Sequence, residues 1–91
     1  MKKLLMERLH CNEKQAEKTA DNLSRISDSL RPILDSWIKN ETFDGDKEFE
    51  GYSINTLMKK YHMQFTGALL TADWLIKEPE AAKKALKRGI K

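Results

Sequence analysis

Ninety-one residues, 40% hydrophobic and 34% charged with a net charge of +3, fit a single domain spanning residues 1–91 and exclude a disordered chain, which would hold fewer Leu, Ile, Phe and Trp. No apolar run approaches the roughly 18 residues that cross a bilayer, and the single cysteine, Cys11, excludes an internal disulfide. With only two prolines and four glycines, the composition favours long helices over a strand-and-turn fold. The expected class is all-α, a compact bundle of four to five helices.

The N-terminus, Met1-Lys2-Lys3-Leu4-Leu5-Met6, begins like a signal peptide, but Glu7 and Arg8 cut the apolar stretch short and no small-residue cleavage site follows. The expected location is therefore the cytoplasm, in keeping with the lone thiol. Leu4, Leu5, Arg8 and Leu9 make a short amphipathic turn or two. Asn12 is a candidate N-cap, with Gln15 at the capping-box position. The spacing predicts a helix from Glu13 to about Ile26, with Ala16, Ala20 and Leu23 on one stripe and Glu13, Lys14, Glu17, Lys18 and Asp21 on a solvated face.

Ser27-Asp28-Ser29 offers several caps for a next helix, and Pro32 suits its first turn. Leu30, Ile33, Leu34, Trp37 and Ile38 form its apolar face, and Asn40 suits a left-handed end. One uninterrupted helix over 13–39, kinked at Ser29–Pro32, is the competing reading. Residues 40–52 differ in composition, with five acids against one lysine. Asp44-Gly45 is a turn signal, and the flanking Phe43 and Phe49 anchor an acidic loop or pair in a tiny hairpin. Asp44 and Asp46 bracket Gly45, which fails the ligand register of a calcium loop.

Ser53 caps a helix from Ile54 to about Tyr61, with Tyr52 and Leu57 in the two positions of a hydrophobic staple. After a break at His62-Met63-Gln64 comes the most apolar helix, Phe65 to Lys77. Phe65, Ala68, Leu69, Ala72 and Ile76 form its stripe, widened by Leu70, Trp74 and Leu75, so it belongs at the centre of the bundle. Pro79 opens a last helix with Ala81, Ala82, Ala85 and Leu86 facing inward, Lys and Arg in its final turns, and Gly89 and Ile90 placed for a Schellman ending.

Charge is unevenly spread, at about +2 over 1–39, −4 over 40–52, +1 over 52–76 and +4 over 77–91. Two surface functions follow. The first is nucleic-acid or anion contact through Lys59, Lys60, Lys83, Lys84, Lys87 and Arg88. Segment 52–75 has a helix-turn-helix outline, with Leu57, Tyr61 and Met63 at apolar positions. However, His62 stands where Gly is usual and Met58 where a small residue is usual. A recognition helix needs Arg, Lys, Asn or Gln at base edges, and this second helix offers Gln64, Thr66, Thr71 and Asp73 amid much Leu and Ala. The second function is association with another protein or with a second copy, through large adaptable residues among which Trp37, Met63 and Trp74 are the interface candidates.

Catalysis finds no support. There is no Gly-rich phosphate loop, nucleophile motif or Cys/His metal spacing, and His10 and Cys11 are neighbours on a chain where adjacent helical side chains diverge. No cofactor, membrane or small-molecule substrate is expected. The leading expectation is thus a non-catalytic helical protein that binds a protein or itself, and the alternative is a nucleic-acid-binding regulator.

The stretch Gly51-Tyr52-Ser53-Ile54-Asn55-Thr56-Leu57-Met58-Lys59-Lys60-Tyr61, followed by Ala68-Leu69-Leu70-Thr71-Ala72-Asp73-Trp74-Leu75-Ile76-Lys77-Glu78-Pro79, resembles short uncharacterised proteins of Gram-positive bacteria and their prophages or other mobile elements. The resemblance covers the C-terminal half. It implies a bacterial, cytoplasmic setting and carries no functional residue with it.

Overall fold

In a computed structural model, which describes residues 1–88, the chain folds into six helices and one minimal hairpin. In order these are α1 (Lys2–Leu9), α2 (Glu13–Leu23), α3 (Arg31–Ile38), β1 (Glu48–Phe49), β2 (Tyr52–Ser53), α4 (Ile54–Lys60), α5 (Phe65–Lys77) and α6 (Pro79–Lys87). The helical class holds, with six helices in place of four to five. The short N-terminal turn is a full helix, and 13–39 is two helices rather than one kinked one. Gly89 and Ile90, the expected Schellman ending, lie outside the described residues.

Local chemistry sets most boundaries. Asn12 and Gln15 form a complete capping box: the Gln15 N–H donates to Asn12 Oδ1 at 2.8 Å, and the Asn12 N–H donates to Gln15 Oε1 at 3.3 Å. Ser53 Oγ accepts from the Thr56 N–H at 3.1 Å and so caps α4. Pro79 opens α6 at its first positions. Three helices stop at non-glycine residues held in the left-handed region: His10 after α1 (φ 52°), Asn40 after α3 (φ 58°) and His62 after α4 (φ 56°).

The break between α2 and α3 has a remote cause. After Leu23 the backbone tightens, with the Arg25 N–H donating to the Asn22 carbonyl at 3.2 Å and the Ile26 N–H to Leu23 at 3.4 Å. Ile26 is buried, but it lies in this turn and not in the helix. The expected cap Ser29 makes no cap bond. Leu30 occupies the N-cap position of α3 without a side-chain partner, and Pro32 follows Arg31 in its first turn. The hydrogen-bond acceptor for this segment is Asp73 of α5. Its Oδ1 accepts from both the Ser27 N–H (2.8 Å) and the Ser27 hydroxyl (2.7 Å).

A hairpin does form in the acidic segment, but its turn is Glu50-Gly51 and not Asp44-Gly45. β1 and β2 are antiparallel with Glu48 opposite Ser53 and Phe49 opposite Tyr52. Glu50 and Gly51 both have positive φ, 53° and 85°, the signature of a type I′ turn. The Asp44-Gly45 bend is a separate feature stapled to α4. The Asn55 N–H donates to the Gly45 carbonyl at 2.9 Å, and Asn55 Nδ2 donates to Asp46 Oδ1 at 2.9 Å.

One core gathers side chains from every helix, from Leu5 of α1 to Leu86 of α6. α5 supplies Phe65, Ala68, Leu69, Ala72 and Leu75, and it packs against α2, α4, α6 and β1. Two inward expectations fail at helix ends. Ile76 is 37% exposed although its neighbour Leu75, in the same last turn of α5, is fully buried. Ala81 is exposed while Ala82 and Leu86 are buried, which sets the buried stripe of α6 one position later. No helix among the described residues is long and apolar enough to cross a membrane.

Candidate interaction surface on the fifth helix

α5 is apolar on more than its buried side. With a residue every 100° around the axis, Phe65, Ala68, Leu69, Ala72 and Leu75 point into the core, while Gly67, Leu70 and Trp74 cluster on the opposite side, with Met63 just upstream. Gly67, Leu70 and Met63 are half-buried, and Trp74 is 36% exposed. An added Cβ at Gly67 would meet only Met63 Cβ, at 3.9 Å, so this position is a notch in an otherwise filled ridge. Thr71 at the margin turns its hydroxyl inward, donating to the Gly67 carbonyl at 2.8 Å and approaching Met63 Sδ at 3.5 Å.

Asp73 and Lys77 beside the ridge are paired. Asp73 lies to one side with 13% side-chain exposure, and its Oδ2 accepts from Lys77 Nζ at 2.9 Å. Lys77 Nζ further donates to the Arg25 carbonyl at 2.9 Å. Burial alone would raise the Asp73 carboxyl, but the hydrogen bonds from Ser27 and Lys77 outweigh it and hold it below its usual value. The two charges nearest the ridge thus neutralise each other within the fold.

The two candidate tryptophans have separate environments. Trp37 is half-buried in a stack, with Arg8 Cζ 4.6 Å above its ring and Phe65 stacked against it at 4.7 Å. Phe43 meets the edge of Phe65 at 5.2 Å. The Arg8 guanidinium also donates to the Trp37 and Ile38 carbonyls at the end of α3, where a cation suits the helix dipole. Trp37 therefore joins α1 to α3 and α5, whereas Trp74 faces outward beside Leu70, downstream of Met63.

The basic candidates are spread over two helices. Lys59 and Lys60 are exposed in the last turn of α4. Lys83 Nζ lies 3.4 Å from Glu50 of the hairpin turn. Lys84, Lys87 and Arg88 are exposed on α6 and make no ion pair among the described residues. His62 occupies the turn between α4 and α5 in the left-handed conformation that Gly usually supplies there. α4 and α5 are joined by the turn at 61–64, and the outer face of α5 carries Gly67, Leu70 and Trp74.

The chain matches no protein-family model, no curated protein and no solved structure.

His10 and Cys11 line one open cavity of about 380 Å³ together with Gln15, Gln64 and Thr66. Cys11 Sγ donates to the Leu5 carbonyl at 3.7 Å. No group of three or more His, Cys, Asp or Glu side chains gathers among the described residues. The notch at Gly67 was invisible in the sequence reading because a glycine inside an apolar helix reads as a tolerated interruption. The signal for it was angular: Gly67, Leu70 and Trp74 share the side opposite Ala68, Ala72 and Leu75.

Proposed function

We propose that the protein is a non-catalytic binding module that docks against a protein surface through the outer face of α5. The supporting observation is the apolar Gly67, Leu70 and Trp74 ridge on a helix whose opposite side already fills the core. A helix apolar all round is normally covered on both sides, and an indole beside an aliphatic neighbour is the kind of anchor that dominates protein interfaces. The test is capture by the immobilised full chain from cells in which it is expressed. Trp74→Glu is expected to abolish capture of a specific protein, while the paired change Lys84→Glu and Lys87→Glu preserves it. Capture indifferent to Trp74→Glu overturns the reading.

The second reading, nucleic-acid binding, is supported by Lys84, Lys87 and Arg88 at the end of α6, which make no ion pair among the described residues, with Lys59 and Lys60 on α4. With no base-reading side chain on α5, such binding would run through phosphate contacts. It predicts duplex DNA affinity that falls steeply with salt, and undetectable binding at low salt removes it.

A further inference from the structure

The first turn of α5 holds a group of free hydrogen-bond donors. Gln64 at the N-cap makes no side-chain cap bond. The N–H groups of Phe65, Thr66 and Gly67 find no acceptor among the described residues, and the first bond of the helix runs from the Ala68 N–H to the Gln64 carbonyl at 2.9 Å. Free N–H groups and a partial positive charge are common to helix starts. What sets α5 apart is Thr66. This residue is only 5% exposed, yet its hydroxyl makes no hydrogen bond among the described residues. Thr71, one turn on, shows the usual solution, donating to the Gly67 carbonyl four residues back. Thr66 has no such carbonyl, because His62 lies in the left-handed turn before the helix. No side-chain polar atom among the described residues is both sealed and unpartnered. The Thr66 hydroxyl therefore opens on the cavity that Thr66 lines, the space of about 380 Å³ between α1, α2 and α5.

The other walls of this cavity also present donors. Gln15 Oε1 already accepts the Asn12 N–H in the capping box, so the free end of its amide is Nε2, a donor. Thr19, half-buried one turn further along α2, adds a second hydroxyl without a partner among the described residues, and the exposed His10 and Gln64 border the opening. No Asp, Glu, Lys or Arg lines the space. Neutral donors with about half a helix charge match one negative charge, whereas a phosphate dianion is typically met by Arg or Lys. Leu9 supplies an apolar wall, and the volume falls at the small end of organic-ligand sites. We infer that this cavity binds a small monocarboxylic acid. Its carboxylate accepts from the first-turn N–H groups of α5 and from the Thr66 hydroxyl, Gln15 Nε2 donates from α2, and a short aliphatic tail rests on Leu9.

Amide-resolved NMR of the isotope-labelled full chain, titrated with sodium butyrate against sodium chloride at equal ionic strength, tests this. The Thr66 and Gly67 amide resonances are expected to move and saturate, with a dissociation constant of roughly 1 mM. Butyramide, the neutral counterpart, is expected to leave them in place. Thr66→Val keeps the volume, removes the hydroxyl and is expected to raise the dissociation constant about tenfold. Because that hydroxyl bonds nothing within the fold, the thermal midpoint of Thr66→Val is expected to be no lower than that of the wild type. Gln15→Glu keeps an acceptor for the capping box but puts a negative charge in place of a donor, and is expected to weaken butyrate at least about tenfold. Resonances that move without saturating, or that move equally at the first turn of α6, which also lacks a side-chain cap, overturn the site. Butyrate binding unchanged in both variants overturns it as well. Inorganic phosphate bound more tightly than butyrate at the same amides overturns the assignment to a monocarboxylic acid.

Discussion

Replacing Asp73 with Ala removes the carboxylate that holds Ser27 in the turn between α2 and α3. The carboxylate accepts three hydrogen bonds at 2.7 to 2.9 Å, two from Ser27 and one from Lys77. Truncation leaves the half-buried Ser27 N–H and hydroxyl without an acceptor, at about 1–3 kcal/mol. Lys77 is half exposed, so losing its pair adds only about 0.5 kcal/mol. The expected cost is about 2–3 kcal/mol, read as a fall in unfolding free energy by urea denaturation. Asp73→Asn keeps an acceptor for Ser27 and is expected to cost about 1 kcal/mol. Because the folded carboxyl lies below its usual value, its stabilisation is full above the unfolded pKa near 4 and fades as pH falls through the folded value. The gap between wild type and Asp73→Asn should therefore narrow in acid. An Ala variant costing under about 0.5 kcal/mol, or Ala and Ser27→Ala effects that simply add within about 0.5 kcal/mol, refutes the clamp.

Trp37→Ala removes an indole stacked between Arg8 and Phe65 and should cost about 3 kcal/mol, whereas Trp74→Ala, at an indole 36% exposed, should cost less, about 1–2 kcal/mol; thermal unfolding at low concentration separates them. Acrylamide should quench Trp74 in a Trp37→Phe variant more strongly than Trp37 in a Trp74→Phe variant. Gly45→Ala places a Cβ 2.5 Å from Asn55 Oδ1, displacing the amide that binds Asp46, and should cost about 1 kcal/mol in the same urea assay. His62→Gly relieves a non-glycine left-handed helix end and should raise the unfolding free energy by about 0.5 kcal/mol.

The elements legible in the sequence are those whose causes are local. Asn12 with Gln15, Ser53 with Thr56, and Pro79 each act within one helical turn, and each sits where spacing put it. What escaped depends on distant neighbours. Ser29 is as good a cap as Ser53 by residue type, but the break at 24–30 is organised by Asp73, far along the chain. Glu50 holds positive φ against its own preference in a turn whose flanking Phe49 and Tyr52 pair, whereas the stronger local signal, Asp44-Gly45, is used to bind Asn55. Ile76 and Ala81 fit the apolar period yet are exposed beside the fully buried Leu75 and Ala82, a difference set by packing and not by periodicity. At the candidate surface, the sequence separated Trp37, Met63 and Trp74 from ordinary core residues but could not divide internal stack from outward ridge. That division rests on Arg8 and Phe65 enclosing one indole and leaving the other uncovered.

The Asp73 to Ser27 clamp also orders events in time. The two residues are 46 positions apart, so the bond forms only after α5 has docked against α2. The clamp is therefore expected to form late in folding, after the local turn bonds from Arg25 and Ile26. Substitutions at Asp73 should then accelerate unfolding while leaving the refolding rate nearly unchanged. Stopped-flow refolding that slows in proportion to the stability lost would place the clamp early instead.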